Sequence, residues 1–270
     1  CYRYFNQGNE RLQSAWFRWN IIGELQYQTI LGDNWYGVVV EDDVDGTERI
    51  SLLNMDLSER FSTTDIQGEA FDFRVHMDYS SEILAADLTF ANGRTTFALP
   101  IPNFTNADRQ MFAYTLTDGG RYSQVTITGT NGSVPGDWTS GNLVVGYNYL
   151  MEVDFPRMFV NSDNVRGGVT DTTASLTIHR TKMSMGPQGV YQTVLRRTGK
   201  DDFTVQYESR PMDAYRAGAV PYLAQRVNTV PVYEKNYNFN LSLQSEHPSP
   251  CTLYSMSWEG MYSTLNYRRG

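Results

Sequence analysis

The sequence predicts an all-β protein, built of several small β units: propeller-like strands followed by β-sandwich-like domains, with little helix. Three observations carry the prediction. Apolar and polar residues alternate with period two in run after run, the pattern of half-buried strands. Turn dipeptides such as Asp45-Gly46, Asn92-Gly93 and Asn131-Gly132 punctuate those runs. Tyr (18) and Phe (13) are abundant and β-branched runs recur, residues that suit a pleated surface.

Along the chain, residues 1–60 form a Trp-containing, propeller- or platform-like β segment. Within it, Trp35-Tyr36-Gly37-Val38-Val39-Val40 leads into the acidic stretch Glu41–Asp45, and Arg49-Ile50-Ser51-Leu52-Leu53 follows. Asp45-Gly46 supplies the positive φ of a tight hairpin. Residues 61–157 form a middle β domain. It opens with Phe71, Phe73, Val75 and Met77 on one strand face. It closes with one strand carrying Val145, Tyr147, Tyr149, Met151 and Val153. Asn92-Gly93, Asp118-Gly119-Gly120 and Asn131-Gly132 mark its turns. Residues 158–171 are polar and Gly-containing, a linker or long loop. Residues 172–270 form a C-terminal β-sandwich-like domain, with Phe203, Val205 and Tyr207 on one strand. Tyr237, Phe239, Leu241 and Leu243 lie on another. The best helix candidate is short, residues 213–219. The chain begins in mid-pattern at Cys1, without Met, and reads as part of something longer.

Charge narrows the function classes. Lys and Arg total 22 against 30 Asp and Glu, a net −8, which argues against a dedicated DNA-wrapping module but not against DNA passing without being held. Residues 157–200 depart from the rest. Seven basic side chains there face two acidic ones, a local +5 that leaves −13 elsewhere. That segment reads as a solvated strand face or as a basic patch meeting an acidic neighbour. No run reaches the roughly 18 apolar residues of a membrane helix.

A search for chemistry returns little. His76, His179 and His247 form no HxH or HExxH pair, and Cys1 and Cys251 lack the short spacing of a zinc site. The cysteines read as two thiols more readily than as a disulfide. There is no GxSxG elbow, Walker loop or GxGxxG. Glu41–Gly46 imitates the start of a calcium loop, but the twelfth position, where a bidentate Glu is required, is Leu52. No catalytic residue, cofactor or metal is assigned. Three glycosylation sequons begin at Asn103, Asn131 and Asn240; with no secretory pattern at the start of the chain they read as chance matches.

Several segments carry a resemblance. Gln13-Ser14-Ala15-Trp16-Phe17-Arg18-Trp19 is followed by Gly32–Val40 and by Asn54-Met55-Asp56-Leu57. Ser140-Gly141-Asn142-Leu143 and Gly146-Tyr147-Asn148-Tyr149 come next. Then come Ala174–Met183, Gly189-Val190-Tyr191, His247-Pro248-Ser249-Pro250, Trp258-Glu259-Gly260 and Arg268-Arg269. In this order they resemble the nozzle protein of short-tailed bacteriophages, tail tubular protein B, over its C-terminal portion. Residues 79–140 do not align, and the family's N-terminal part is missing.

The resemblance implies a non-enzymatic structural protein of the virion tail, made in the host cytoplasm. It implies six copies forming a tube below an adaptor ring, tail tubular protein A, through which double-stranded DNA is retained and ejected without specific binding. Tail fibres and the host outer surface are further candidate neighbours. Trp16, Trp19, Arg196, Arg197, Trp258, Arg268 and Arg269 are the interface or core candidates. Asp42, Asp43, Asp45, Asp118 and Asn131 are the channel or loop candidates. The alternatives are a carbohydrate- or receptor-binding β module of a virion and, below it, a glycosidase-like depolymerase, which would need two carboxylates at a controlled separation.

Overall fold

The computed structural model describes residues 2–7, 10–16, 24–31, 34–42, 45–55, 61–64, 70–73, 76–104, 109–115, 121–162, 169–171, 175–208, 223 and 225–263. Among them, regular structure is almost entirely antiparallel strand, in several small sheets, with a single 3-10 turn at Ala85–Asp87. The short helix expected over 213–219 lies outside the described residues. The chain divides into two compact units: Cys1–Ser58 with Pro102–Phe104, and Glu59–Ile101 with Thr105–Gly270.

In the first unit, β1 (Tyr2–Gln7) pairs with β2 (Glu10–Trp16). Strands β3 (Glu24–Leu31), β4 (Asn34–Asp42) and β5 (Glu48–Met55) form a meander. The β4–β5 hairpin closes at Asp42↔Glu48, and Gly46 takes φ +73. The Asp45-Gly46 turn is therefore where its chemistry predicts it. Val39 and Glu41 are buried on one face of β4, while Ile50 and Leu52 on β5 are exposed.

The second unit begins with the pair β6 (Phe61–Thr64) and β7 (Ala70–Phe73), then β8 (Asp78–Ile83), β9 (Thr89–Ala91), β10 (Arg94–Ala98), β11 (Met111–Thr115), β12 (Tyr122–Gln124), β13 (Thr126–Thr128), β14 (Asn131–Pro135) and β15 (Leu143–Tyr147). Two four-stranded sheets result, in the orders β12-β11-β15-β8 and β13-β14-β10-β9. Every residue of β15 is buried, as a strand between two neighbours with both faces covered must be. On β10 and β14 burial alternates, placing Thr95, Phe97 and Val134 inward. Asn92 (φ +52) and Gly93 (φ +74) form the β9–β10 turn as a primed, left-handed pair.

Asn131-Gly132 departs from its expected role as a turn. The turn lies two residues earlier, where Gly129 takes φ +60, and Asn131 already pairs with Thr128 and Ala98. Gly132 is required for space instead: a Cβ there would sit 2.5 Å from the Phe97 ring and 2.9 Å from Val125.

The remaining strands are β16 (Met151–Asp154), β17 (Val160–Ser162), β18 (Val169–Asp171), β19 (Ser175–Gln188), β20 (Val190–Arg197), β21 (Phe203–Glu208), β22 (Arg226–Lys235), β23 (Phe239–Ser245) and β24 (Cys251–Ser263). The single strand expected from Val145 to Val153 is two. β15 pairs with β11 and β8, whereas β16 pairs with β23 in another sheet, and Tyr149 and Leu150 between them are exposed. Period two runs through the break because both strands are half-apolar, so the pattern alone conceals it.

Sheets β16-β23-β20-β21 and β22-β19-β24 pack face to face. Tyr191, Leu195, Leu241 and Leu243 of the first meet Leu176, Ile178, Met183, Met185, Val230 and Val232 of the second in one core. β19 changes phase along its length. Leu176 and Ile178 are inward, then Thr181, Met183 and Met185. An irregularity between Ile178 and Arg180 inserts His179 opposite the Gly260–Glu259 step of β24, and the extra residue exchanges the two faces.

Candidate functional site

The outer face of the β16-β23-β20-β21 sheet carries a polar ladder. Gln192 and Arg196 on β20 share parity, as do Ser242 and Gln244 on β23 and Glu152 and Asp154 on β16. The register Gln192↔Gln244, Glu152↔Gln244 and Asp154↔Ser242 brings them side by side. Gln192 Nε2 donates to Gln244 Oε1 at 2.9 Å, and Gln244 Nε2 donates to Glu152 Oε1 at 2.6 Å. Arg196 Nη1 donates to Ser242 Oγ at 2.6 Å, and Ser242 Oγ donates to Asp154 Oδ1 at 2.5 Å. The Arg196 guanidinium also lies 3.1 Å from Glu152, 3.6 Å from Asp154 and 3.9 Å from Asp202. One cation thus organises three carboxylates on a half-exposed sheet face.

A second clamp lies on the opposing sheet. Arg180 Nε donates to Glu259 at 2.5 Å, and Lys182 pairs with the other oxygen of the same carboxylate. Hydrogen bonds from Lys182 and then Arg180 hold the Glu259 carboxyl below the usual carboxylate range. Lys200 pairs with Glu234. Four of the seven basic side chains of residues 157–200 are therefore matched within the chain.

A third cluster joins the middle sheets to the C-terminal sandwich. The turn His247-Pro248-Ser249-Pro250 receives the His76 N–H at Pro248 O and the Gly189 N–H at Pro250 O, both at 2.9 Å. Ser249 Oγ accepts the Val190 N–H at 3.0 Å. The His247 ring lies 4.4 Å from that of Tyr122, which stacks on Phe112 at 4.8 Å. Ser249 N–H donates to His247 Nδ1 at 3.1 Å, so the ring proton belongs on Nε2. Burial pushes His247 down from 6.5 to about 4. The folded state therefore holds a neutral imidazole while the unfolded chain protonates from about pH 6.5. Its contribution is complete above pH 6.5 and is lost as pH falls towards 4. Urea titrations across pH 7 to 4 should show up to about 3 kcal/mol of loss from this group. The slope should flatten in His247→Gln; an unchanged slope in that variant would exclude the residue as the cause.

The sequence candidates fall in different places. Arg196 lies at the centre of the outer ladder. Arg197, the next residue, faces the other way, its guanidinium 6.0 Å from the Phe203 ring centre. Trp258 is half-buried against the sandwich core. Asp42 and Asp45 are exposed at the β4–β5 tip, and Asn131 is exposed at the start of β14. Trp16 is the last residue of β2. Trp19, Asp43, Asp118, Arg268 and Arg269 lie outside the described residues. Glu152, Asp154 and Asp202 were not singled out from the sequence, and the His247-Pro248-Ser249-Pro250 turn was marked only as a segment of resemblance. That Glu152 and Asp154 share one strand face is legible in the sequence, but the register that unites three strands is not.

Cys251 is a free thiol, and burial pushes it up to about 12. Among the described residues no group of three or more His, Cys, Asp or Glu is placed to hold a metal. No helix among them is long and apolar enough to cross a membrane.

Small antiparallel sheets, with charged side chains engaged in tying strand to strand, define an all-β protein. A family model described as bacteriophage nozzle protein matches residues 1–269, and the chain belongs to that family. It is a structural protein of the phage tail, located in the virion tail. No curated protein matches the chain.

Two glycines within the segments of resemblance, Gly146 and Gly260, are points of close approach. A Cβ at Gly260 of Trp258-Glu259-Gly260 would lie 2.3 Å from Thr177 O. One at Gly146 of Gly146-Tyr147-Asn148-Tyr149 would lie 2.9 Å from Met77 Cβ and 3.0 Å from Asp78 O. Asn142 secures the turn after β8: its Oδ1 accepts the Ala85 N–H at 2.9 Å and its Nδ2 donates to Glu82 at 2.8 Å.

Proposed function

We propose that the protein is a non-enzymatic subunit of a hexameric nozzle that retains phage DNA and conducts it into the host. The match of the nozzle family model to nearly the whole chain carries this reading. Charge supports it. At −8 per chain, six copies carry −48, and an acidic wall repels phosphate, so DNA slides rather than sticks. In this reading residues 1–60 form a platform and residues 61–157 carry channel or tip loops. Residues 158–171 are the linking segment and residues 172–270 the C-terminal β-sandwich-like domain, to which β16 adds an edge strand. Asp42, Asp43, Asp45, Asp118 and Asn131 are the channel candidates. Trp16, Trp19, Arg196, Arg197, Trp258, Arg268 and Arg269 are the contact candidates. The adaptor protein lies above the ring, with tail fibres and the host surface as further neighbours.

A head-to-tail contact between subunits must close on itself to make a tube. Images of the assembled tail, averaged without imposed symmetry, should show a six-fold ring of this chain around an open lumen. A three-fold assembly, or a ring whose lumen is too narrow for duplex DNA, would overturn the proposal.

A further inference from the structure

We propose that the open mouth of the C-terminal sandwich binds one acidic sugar residue of a surface polysaccharide, an activity beyond DNA conduction. At this end the two sheets of the sandwich leave a cleft of about 240 Å³. Arg197 and Phe203 line it from one sheet, Pro231 and Tyr233 from the other. The Lys200–Glu234 pair closes one side.

Three features distinguish this cleft from an ordinary sheet end. First, Arg197 has the parity of the core residues Tyr191 and Leu195, so a guanidinium occupies an inward-facing position. It makes no ion pair among the described residues, and its Nε–H is buried without a hydrogen-bond partner. A guanidinium without an ion pair at the wall of a cleft favours an arriving anion. Second, the cleft presents aromatic surface to solvent: Phe203 is 40% exposed and Tyr233 is 70% exposed. Third, the wall is distorted. β22 carries an irregularity where Ile178 and Arg180 of β19 face Glu234 and Pro231, and Tyr233 there takes φ +51. A bulky residue in the left-handed region is held there by its surroundings, and bulges of this kind re-aim side chains at sites. His179, the inserted residue of β19, stacks on the Tyr233 ring at 5.8 Å.

The chemistry specifies the ligand class. Lys200 and Glu234 cancel, leaving the single positive charge of Arg197. A planar guanidinium matches a carboxylate in a two-pronged geometry. Aromatic faces and Pro231 offer apolar surface to the body of a ring, in the mixed lining typical of small-molecule sites. A uronate-type sugar combines a carboxylate with a ring of suitable size. A bare phosphate would leave the aromatic surface unused.

The test titrates the full chain with a glucuronate-containing tetrasaccharide, the same oligosaccharide with its carboxyls reduced, and inorganic phosphate. Saturation-transfer NMR reads the contacts. Saturable binding of the uronate probe is expected, weaker by at least about tenfold for the reduced probe and for Arg197→Gln, the loss of one charge-assisted contact. Tyr233→Ala should remove the ring-proton transfer. Arg196→Gln, altered on the outer face, should bind as the parent does. Thermal melts check that each variant is folded; if Arg197→Gln is not, Arg197→Lys and Phe203→Leu take its place. No saturable binding, equal binding of the reduced probe, or displacement by phosphate at equal concentration would overturn the proposal. None of these outcomes bears on the six-fold ring.

Discussion

Tyr147→Ala is expected to lower the stability of the second unit by about 3–5 kcal/mol, the range for deleting a large buried aromatic ring. Tyr147 is fully buried on the central strand β15, between β11 and β8. Its ring does more than fill space. The Arg109 guanidinium lies 4.6 Å from the ring centre, and Arg109 is itself only 6% exposed. Tyr79, 5.3 Å away, provides a second aromatic face for the same cation. Truncation therefore opens a cavity and also withdraws half of a buried cation's aromatic surroundings. Tyr147→Phe keeps the ring and loses only the hydroxyl, and should cost no more than about 1 kcal/mol. Urea unfolding followed by circular dichroism measures both. A loss below about 1 kcal/mol for the alanine variant would mean that the sheet closes over the gap.

Gly260→Val is expected to be the second most damaging change, through overpacking rather than a void. The Cβ would lie 2.3 Å from Thr177 O and 3.1 Å from Ile178 Cα, so both obstacles are backbone of the adjacent strand. No side-chain rotation relieves that contact. The strands must separate beside the His179 insertion, at a cost of about 1–3 kcal/mol or more. Gly260→Ala should show the lower end of this range. Hydrogen exchange provides the local readout, since the amides of Met261 and Tyr262 at the end of β24 should lose protection first. Ser257→Ala, at an exposed position of the same strand, should leave stability and protection unchanged. Equal protection in Gly260→Val and the parent would show that β24 tolerates a wider spacing.

The acid response of the His247 turn is smaller but more specific. It connects a ring on the C-terminal side with Tyr122 and Phe112 on β12 and β11. Loss of neutral His247 should therefore loosen the contact of the middle sheets with the sandwich before either core melts. The charge ladders behave differently. Arg196 and Glu259 work at half-exposed positions, where ion pairs contribute little stability and are weakened by salt. Their effect is to hold register across strands.

These contrasts locate the boundary between what the chain's own pattern determined and what required the folded molecule. Local chemistry was legible. The Asp45-Gly46 and Asn92-Gly93 turns follow from the need for positive φ, and the all-β class follows from period-two alternation with aromatic and β-branched residues. Family membership was legible too, from short segments in the same order as in the family, although the reason for Gly146 and Gly260 was not.

Strand partnership was decided only in three dimensions. Alternation marks a face but not a neighbour, so the stretch from Val145 to Val153 looked like one strand although its halves join different sheets. A single inserted residue at His179 then exchanged the inward and outward faces of β19. The same limit governed the sites. The adjacent arginines Arg196 and Arg197 are equivalent in a list of charges, yet successive side chains point to opposite faces of a strand. One therefore joins three carboxylates in the outer ladder, while the other stands without an ion pair among the described residues, at the mouth of the sandwich.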